Sequence, residues 1–211
     1  MKILFLGGSF LSDGDIPGRF LELVKLRFPT VETLQHTFKQ ARLSQHLNDA
    51  HSLELLATPG LSVVLLQEQS KLHFTDYREM DLGVRLINER IIRIGAKPIL
   101  LMTWRRRESL CDDGAFKKIY FTYTEIAERH GITLSPVGVA WELFRRNFPE
   151  ADLMQSSNSH ASSIGATVAA SCIARTLLGS LDQVDISNVE IFGLNELAVK
   201  EVIDHAHSYF L

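Results

Sequence analysis

Short, wholly apolar runs alternate with longer amphipathic stretches along most of this chain, and no other feature limits its fold as strongly. Ile3-Leu4-Phe5-Leu6, Val31 to Leu34, Val63 to Leu66, Ile99 to Met102 and Ile132 to Leu134 read as strands. Between and after them lie helical stretches: Ile16 to Phe28, Leu43 to Ala57, Met80 to Ile94, Ala115 to His130, and Ser162 to Leu178. Strands that are apolar on both sides must be covered on both faces, so the alternation predicts a parallel sheet between two helical layers, an α/β fold. Gly95, Gly131 and Gly179 each follow a helical run, where a helix-ending glycine belongs. No repeat, low-complexity tract or linker interrupts the pattern, so residues 1–211 are expected to form a single domain. Residues 182–211 form a C-terminal extension whose role stays open. There Val189 to Phe192 fits an edge strand and Asn195 to Tyr209 a helix, which caps the sheet or meets another subunit of an oligomer.

Composition excludes several classes. A chain of 211 residues buries roughly 70% of its unfolded surface, enough for a core without staples. The formal net charge of −3 argues against a nucleic-acid partner or an anionic membrane surface, both of which call for a basic excess. No apolar run approaches the length of a membrane span. The N-terminal apolar run, Ile3 to Leu6, is shorter than the core of a secretory signal and no Ala-x-Ala follows, so a cytoplasmic protein is expected. Cys111 and Cys172 show no CxxC or Cys–His pattern and no HExxH-like cluster exists, so neither a disulfide, a metal nor another cofactor is implied.

Ligands of an open parallel sheet sit beyond the carboxyl ends of its strands, which directs attention to the polar residues just after each apolar run. After the first comes Gly7-Gly8-Ser9-Phe10, after the third Gln67-Glu68-Gln69-Ser70, after the fourth Thr103-Trp104. Late in the chain, Ser157-Asn158-Ser159-His160 opens a helix. Singly these are weak signals: a serine after glycines is an ordinary turn residue, and Ser, Asn and His near a helix start serve as caps. Together, a serine after the first strand and a histidine entering the last main helix is a layout that joins nucleophile and base across a small sheet. Arg105-Arg106-Arg107 fits either a solvated loop or a site for an anionic substrate group. Trp104 and Trp141 fit either packing or stacking on a sugar. Asp204-His205-Ala206-His207 lacks the spacing of a metal site.

These blocks, in this order over residues 2–180, resemble the SGNH (GDSL-like) hydrolase family, and most closely a bacterial subgroup with Leu-Gln-Glu-Gln-Ser and Thr-Trp signatures. Ile3 to Phe10 resembles the first block, Val63 to Ser70 stands at the third, and Ser159 to Gly165 resembles the fifth. Gly95 to Trp104 and Pro136 to Trp141 resemble the subgroup's later strands. The resemblance implies a flavodoxin-like α/β/α sandwich with a five-stranded parallel sheet ordered 2-1-3-4-5. It implies a serine esterase that cleaves a small-molecule carboxylic ester, such as an acetyl or carbohydrate ester. Ser9 would be the nucleophile, His160 the base, and the Ser9 N–H and Gln69 amide the oxyanion donors, with Gln67 and Trp104 on the substrate-binding surface.

Three departures stand out. Gln69 occupies the place of the family's third-block Asn. The second-block Gly falls near Lys39 to Ala41, where there is no glycine. The acid, three residues before the histidine, is replaced by Ser157. Either a Ser9–His160 dyad operates, or another carboxylate substitutes, Asp152 being nearest in sequence. The alternative is a catalytically weak or inactive relative that binds a ligand or carbohydrate.

Overall fold

The computed structural model describes residues 1–182, 184, 186 and 195–209. Its elements run β1 (Lys2–Gly7), α1 (Ser9–Ser12), α2 (Ile16–Lys25), β2 (Glu32–Thr37), α3 (Leu43–His46), α4 (Ala50–Leu56), β3 (Leu61–Leu66) and α5 (Leu72–Thr75). Then come α6 (Tyr77–Arg93), β4 (Lys97–Leu101), α7 (Asp113–His130), β5 (Thr133–Ser135), α8 (Val137–Asn147), α9 (Ser163–Leu178) and α10 (Glu196–Ser208). A short 3₁₀ turn, Arg107–Ser109, follows β4.

The strands form one five-stranded sheet in the order β2-β1-β3-β4-β5, all pairs parallel. The central strands are apolar because both faces are covered: Ile3 to Leu6, Val64 to Leu66 and Ile99 to Leu101 are all essentially inaccessible. Helix α2 packs with α9, which carries α8 and α10, while α3, α5, α6 and α7 pack with one another. Right-handed crossovers that reverse direction after β2 place these two groups on opposite faces. The reversal lies between β1 and β3, whose carboxyl ends therefore frame a crevice.

Local chemistry sets the boundaries. Asp15, Asp49, Asp112 and Ser162 each accept a backbone N–H in the first turn of the helix they precede. The Asp49 cap splits the expected Leu43 to Ala57 helix into α3 and α4. Strand β2 runs on through Gln35, His36 and Thr37, pairing with Phe5, Leu6 and Gly7. As an edge strand it needs no apolar residue at those positions.

One segment departs from the resemblance. Residues 136–141 are not a strand: Pro136 precedes α8, whose Val137 to Phe144 are all buried. Burial on every side removes the helical period from the sequence, so an apolar run of this kind reads equally as strand. Helix α10 covers α8 and α9 with Val199, Val202, Ile203 and Ala206. The expected edge strand at Val189 to Phe192 lies outside the described residues. Among the described residues no helix is long and apolar enough to cross a membrane.

Candidate active site

Strand β1 delivers Ser9 to the crevice, and α1 begins at that serine. The turn before it is tightly held. The Gly8 N–H donates to Gln67 Oε1 at 2.8 Å. A Cβ on Gly7 would stand within 2.9 Å of Gln67, so only glycine allows that approach. The other end of the Gln67 amide donates to the Glu68 carbonyl. Gln67, expected on the substrate surface, is buried and braces the turn that carries Ser9, while still lining the cavity beside it.

Ser9 Oγ lies 3.0 Å from His160 Nε2. On the far side of the imidazole, His160 Nδ1 lies 2.8 Å from Asp13 Oδ2. That contact is off the direction of the ring N–H, an ion-pair approach rather than a straight hydrogen bond. Asp13 ends α1, its N–H donating to the Ser9 carbonyl at 3.0 Å. Ser9 and Asp13 are thus four residues apart on one helical turn and face the same way, and His160 fits against both. The packing allows it: a Cβ on Gly14 would press to 3.0 Å on the Cβ atoms of Ala161 and Ala166, so the Asp13 turn lies hard against the His160 loop.

Neither residue near the histidine in sequence plays the acid's part. Ser157 is exposed and makes no hydrogen bond among the described residues. Asp152 accepts from the Met154 N–H at 3.0 Å and lies 3.7 Å from Arg107 Nη2, turned away from the imidazole. The carboxylate at His160 is Asp13, whose only sequence signal is its four-residue spacing from Ser9.

The His160 loop is anchored from several sides. Asn158 Oδ1 accepts the His160 N–H at 2.7 Å. Gln155 Nε2 donates to the carbonyls of Asp13 and Ala161, each at 3.2 Å, bridging the two halves of the site. Trp104 Nε1 donates to the Ser159 carbonyl at 2.9 Å. The Trp104 ring lies stacked between Phe10 at 4.5 Å and Trp141 at 4.0 Å, and the His160 ring meets Phe10 edge-on. Trp104 is only 1% exposed, so it is a pillar under the site and not part of the substrate surface.

A cavity of about 460 Å³ opens beside Ser9 and His160. Three of its lining residues carry a donor with no acceptor among the described residues: the Ser9 N–H, the Gln69 side-chain amide and the Gln40 N–H. Gln40 has a φ of 57°, in the left-handed region that favours glycine, within the stretch where the second-block glycine was sought. Glu68, missed by sequence reasoning, supports this rim from below. Its fully buried carboxyl accepts from the N–H groups of Gln69 and Leu43, and burial pushes its pKa up to about 8. Among the described residues no cluster could hold a metal ion.

Comparison with known proteins gives this geometry a context. No family model and no curated protein matches the chain. Among solved structures, it is similar to a protein assigned as an SGNH hydrolase from Slackia heliotrinireducens, with 25% identity and a TM-score of 0.70 over 84% of this chain and 98% of that one. A DUF4886 family protein from Bacteroides uniformis is 18% identical, with a TM-score of 0.73 over 99% of this chain and 93% of the other. The psychrotrophic esterase EstA from Pseudoalteromonas, in a structure inhibited by monoethylphosphonate, is 12% identical, with a TM-score of 0.63 over 84% and 97%.

Proposed function

We propose that this chain, which has the fold of the SGNH hydrolases, is a serine hydrolase that cleaves a carboxylic ester through an acyl-Ser9 intermediate. The observation that carries this reading is the chain of contacts from Ser9 Oγ through His160 to Asp13. With the proton carried on Nδ1, the nitrogen beside Asp13, Nε2 is free to accept the Ser9 proton as Oγ attacks the ester carbonyl. The imidazolium that forms is stabilised by the Asp13 carboxylate. It then gives its proton to the departing alcohol. Water repeats the sequence on the acyl-enzyme and releases the acid.

In this reading the Ser9 N–H, the Gln40 N–H and the Gln69 amide, all on residues that line the cavity, receive the negative charge of each tetrahedral intermediate. The Gly8 N–H is already taken by Gln67 and is not a donor. The alternative of an inactive binding protein drew its support from the absent acid, and with Asp13 against His160 it loses that support.

The test is covalent labelling. A fluorophosphonate probe should add one equivalent at Ser9 of the folded protein and none to Ser9→Ala. Short-chain aryl esters should be hydrolysed by the first protein and not the second. Labelling elsewhere, or none in a folded protein, would overturn the assignment.

A further inference from the structure

The cavity beside Ser9 has a marked charge. Lys39, Lys71 and Arg106 line it, and no carboxylate does. The chain as a whole carries a net charge of −3, so three cations around one hollow are not its background. Lys39 and Lys71 have no ion pair and no side-chain hydrogen bond among the described residues. The arginine run after β4 is sorted by the fold. Arg105 turns inward to a buried pair with Glu142, and Arg107 binds the carbonyls of Gln155 and Asn158. Only Arg106 faces the cavity, steadied by Nη1 donating to Ser70 Oγ at 3.1 Å.

The countercharges nearby are few. Glu108 accepts from Arg106 Nε at 2.7 Å and sits on the outer, solvent side, more than half exposed. The Arg106 guanidinium foremost, with Lys71 adding to it, holds the Glu108 carboxyl below the usual range. Asp13 is engaged with His160. Glu68 lies beneath the rim, and burial favours its neutral form at pH 7. A neutral ester entering this cavity would leave Lys39 and Lys71 unanswered.

We infer that the substrate is an ester bearing a second, anionic group, a carboxylate or a phosphate, and that Lys39, Lys71 and Arg106 bind that group while the ester carbonyl lies at Ser9. The inference rests on the esterase reading and narrows it to anionic esters. The three cations would raise the local concentration of such an ester and fix which bond meets Ser9 Oγ.

Two measurements test it. In the first, kcat/KM is compared for the nitrophenyl half-ester of glutarate against nitrophenyl butyrate, and for acetoxyphenyl phosphate against phenyl acetate. Each anionic ester should be preferred by about tenfold or more, a difference of ~1.4 kcal/mol per factor of ten. The preference should shrink in high salt. In Lys39→Gln/Lys71→Gln and in Arg106→Gln the ratio should fall toward one, chiefly through KM. Whichever pair shows the larger preference identifies a carboxylate or a phosphate as the partner group.

The second measurement needs no turnover. Calorimetric binding of glutaranilate and of neutral butyranilide to Ser9→Ala should favour the anion, and the lysine double variant should lose that difference. Equal binding of the two, or a preference untouched by the lysine and arginine changes, overturns the anion site. Anion-selective binding without Ser9 labelling would overturn the esterase reading alone.

Discussion

Asp13 is the residue on which the site turns, and it is the one that sequence reasoning passed over. The resemblance placed the acid three residues before His160, where Ser157 stands, and Asp152 was the nearest carboxylate in sequence to substitute for it. The fold instead sets Asp13 on the helical turn that carries Ser9. The i,i+4 relation was legible, but which residue it serves depends on where the His160 loop docks, and no local pattern encodes that. Ser9 and Gln69 meet at the cavity because strand ends in a parallel sheet converge on one edge; Gln67 lines it too while bracing Gly8, and Trp104 is buried outside it. A positioning role for Asp13 predicts that Asp13→Asn lowers kcat by about 10² to 10³ with little change in KM. In the serine-protease case the loss is about 10⁴, and here water reaches the carboxylate. Ser157→Asp and Asp152→Asn should each stay within a few-fold of the parent. Gln69→Ala, which removes a proposed oxyanion donor, should cost about 10²-fold or more in kcat. Steady-state kinetics on one aryl ester decides among these.

At the scale of elements, the strand–helix alternation was written plainly in the residues, and the sheet order followed from it with the family resemblance. What was not legible had two causes. Edge strand β2 carries polar residues because solvent reaches it, and the first eight residues of α8, Val137 to Phe144, hide their period because solvent does not reach them. The aromatic column of Trp141, Trp104 and Phe10 links β4, α8 and α1 to the His160 loop. Trp104→Phe keeps a ring in the stack but leaves the Ser159 carbonyl without its donor. It should lower stability by about 1–3 kcal/mol and slow turnover, because the bond it removes holds the residue before His160. Denaturant unfolding and kcat, measured on the same preparation, check both parts. Loss of stability with an unchanged kcat would reduce the column to ordinary core.

Across the whole molecule, buried titratable groups set the pH response of stability. Burial holds His46 and His73 down at about 4. Between pH 6.5 and 4 the unfolded chain takes protons that the native state refuses, so stability falls as pH drops through that window, by on the order of 3 kcal/mol per histidine. Among the described residues His73 has no partner for either ring nitrogen, and it packs against Phe74 and Tyr123. His73→Phe should therefore flatten part of the acid limb of Tm against pH. Glu68 acts in the opposite direction. Its native pKa of about 8 means that the folded state keeps a proton which the unfolded chain has released above about 4.5. Stability is lost as pH rises toward 8, and Glu68→Gln, which cannot ionise, should gain in Tm over the parent at pH 8 to 9 and show no gain near pH 4.5. Melting curves across pH 4 to 9 for the three proteins resolve the two limbs.

Placing Ser9 and Asp13 on one turn also changes the mechanics of the site. When nucleophile, base and acid come from three loops, three bodies must be aligned, and each can drift alone. In the proposed triad two of them travel together on one helical turn, and the imidazole is the socket. A displacement of the His160 loop away from β1 lengthens both of its contacts at once. Such a site has few half-assembled states: it is engaged or disengaged as a unit, with the Gln155 bridge from the Asp13 carbonyl to the His160 loop acting as its latch.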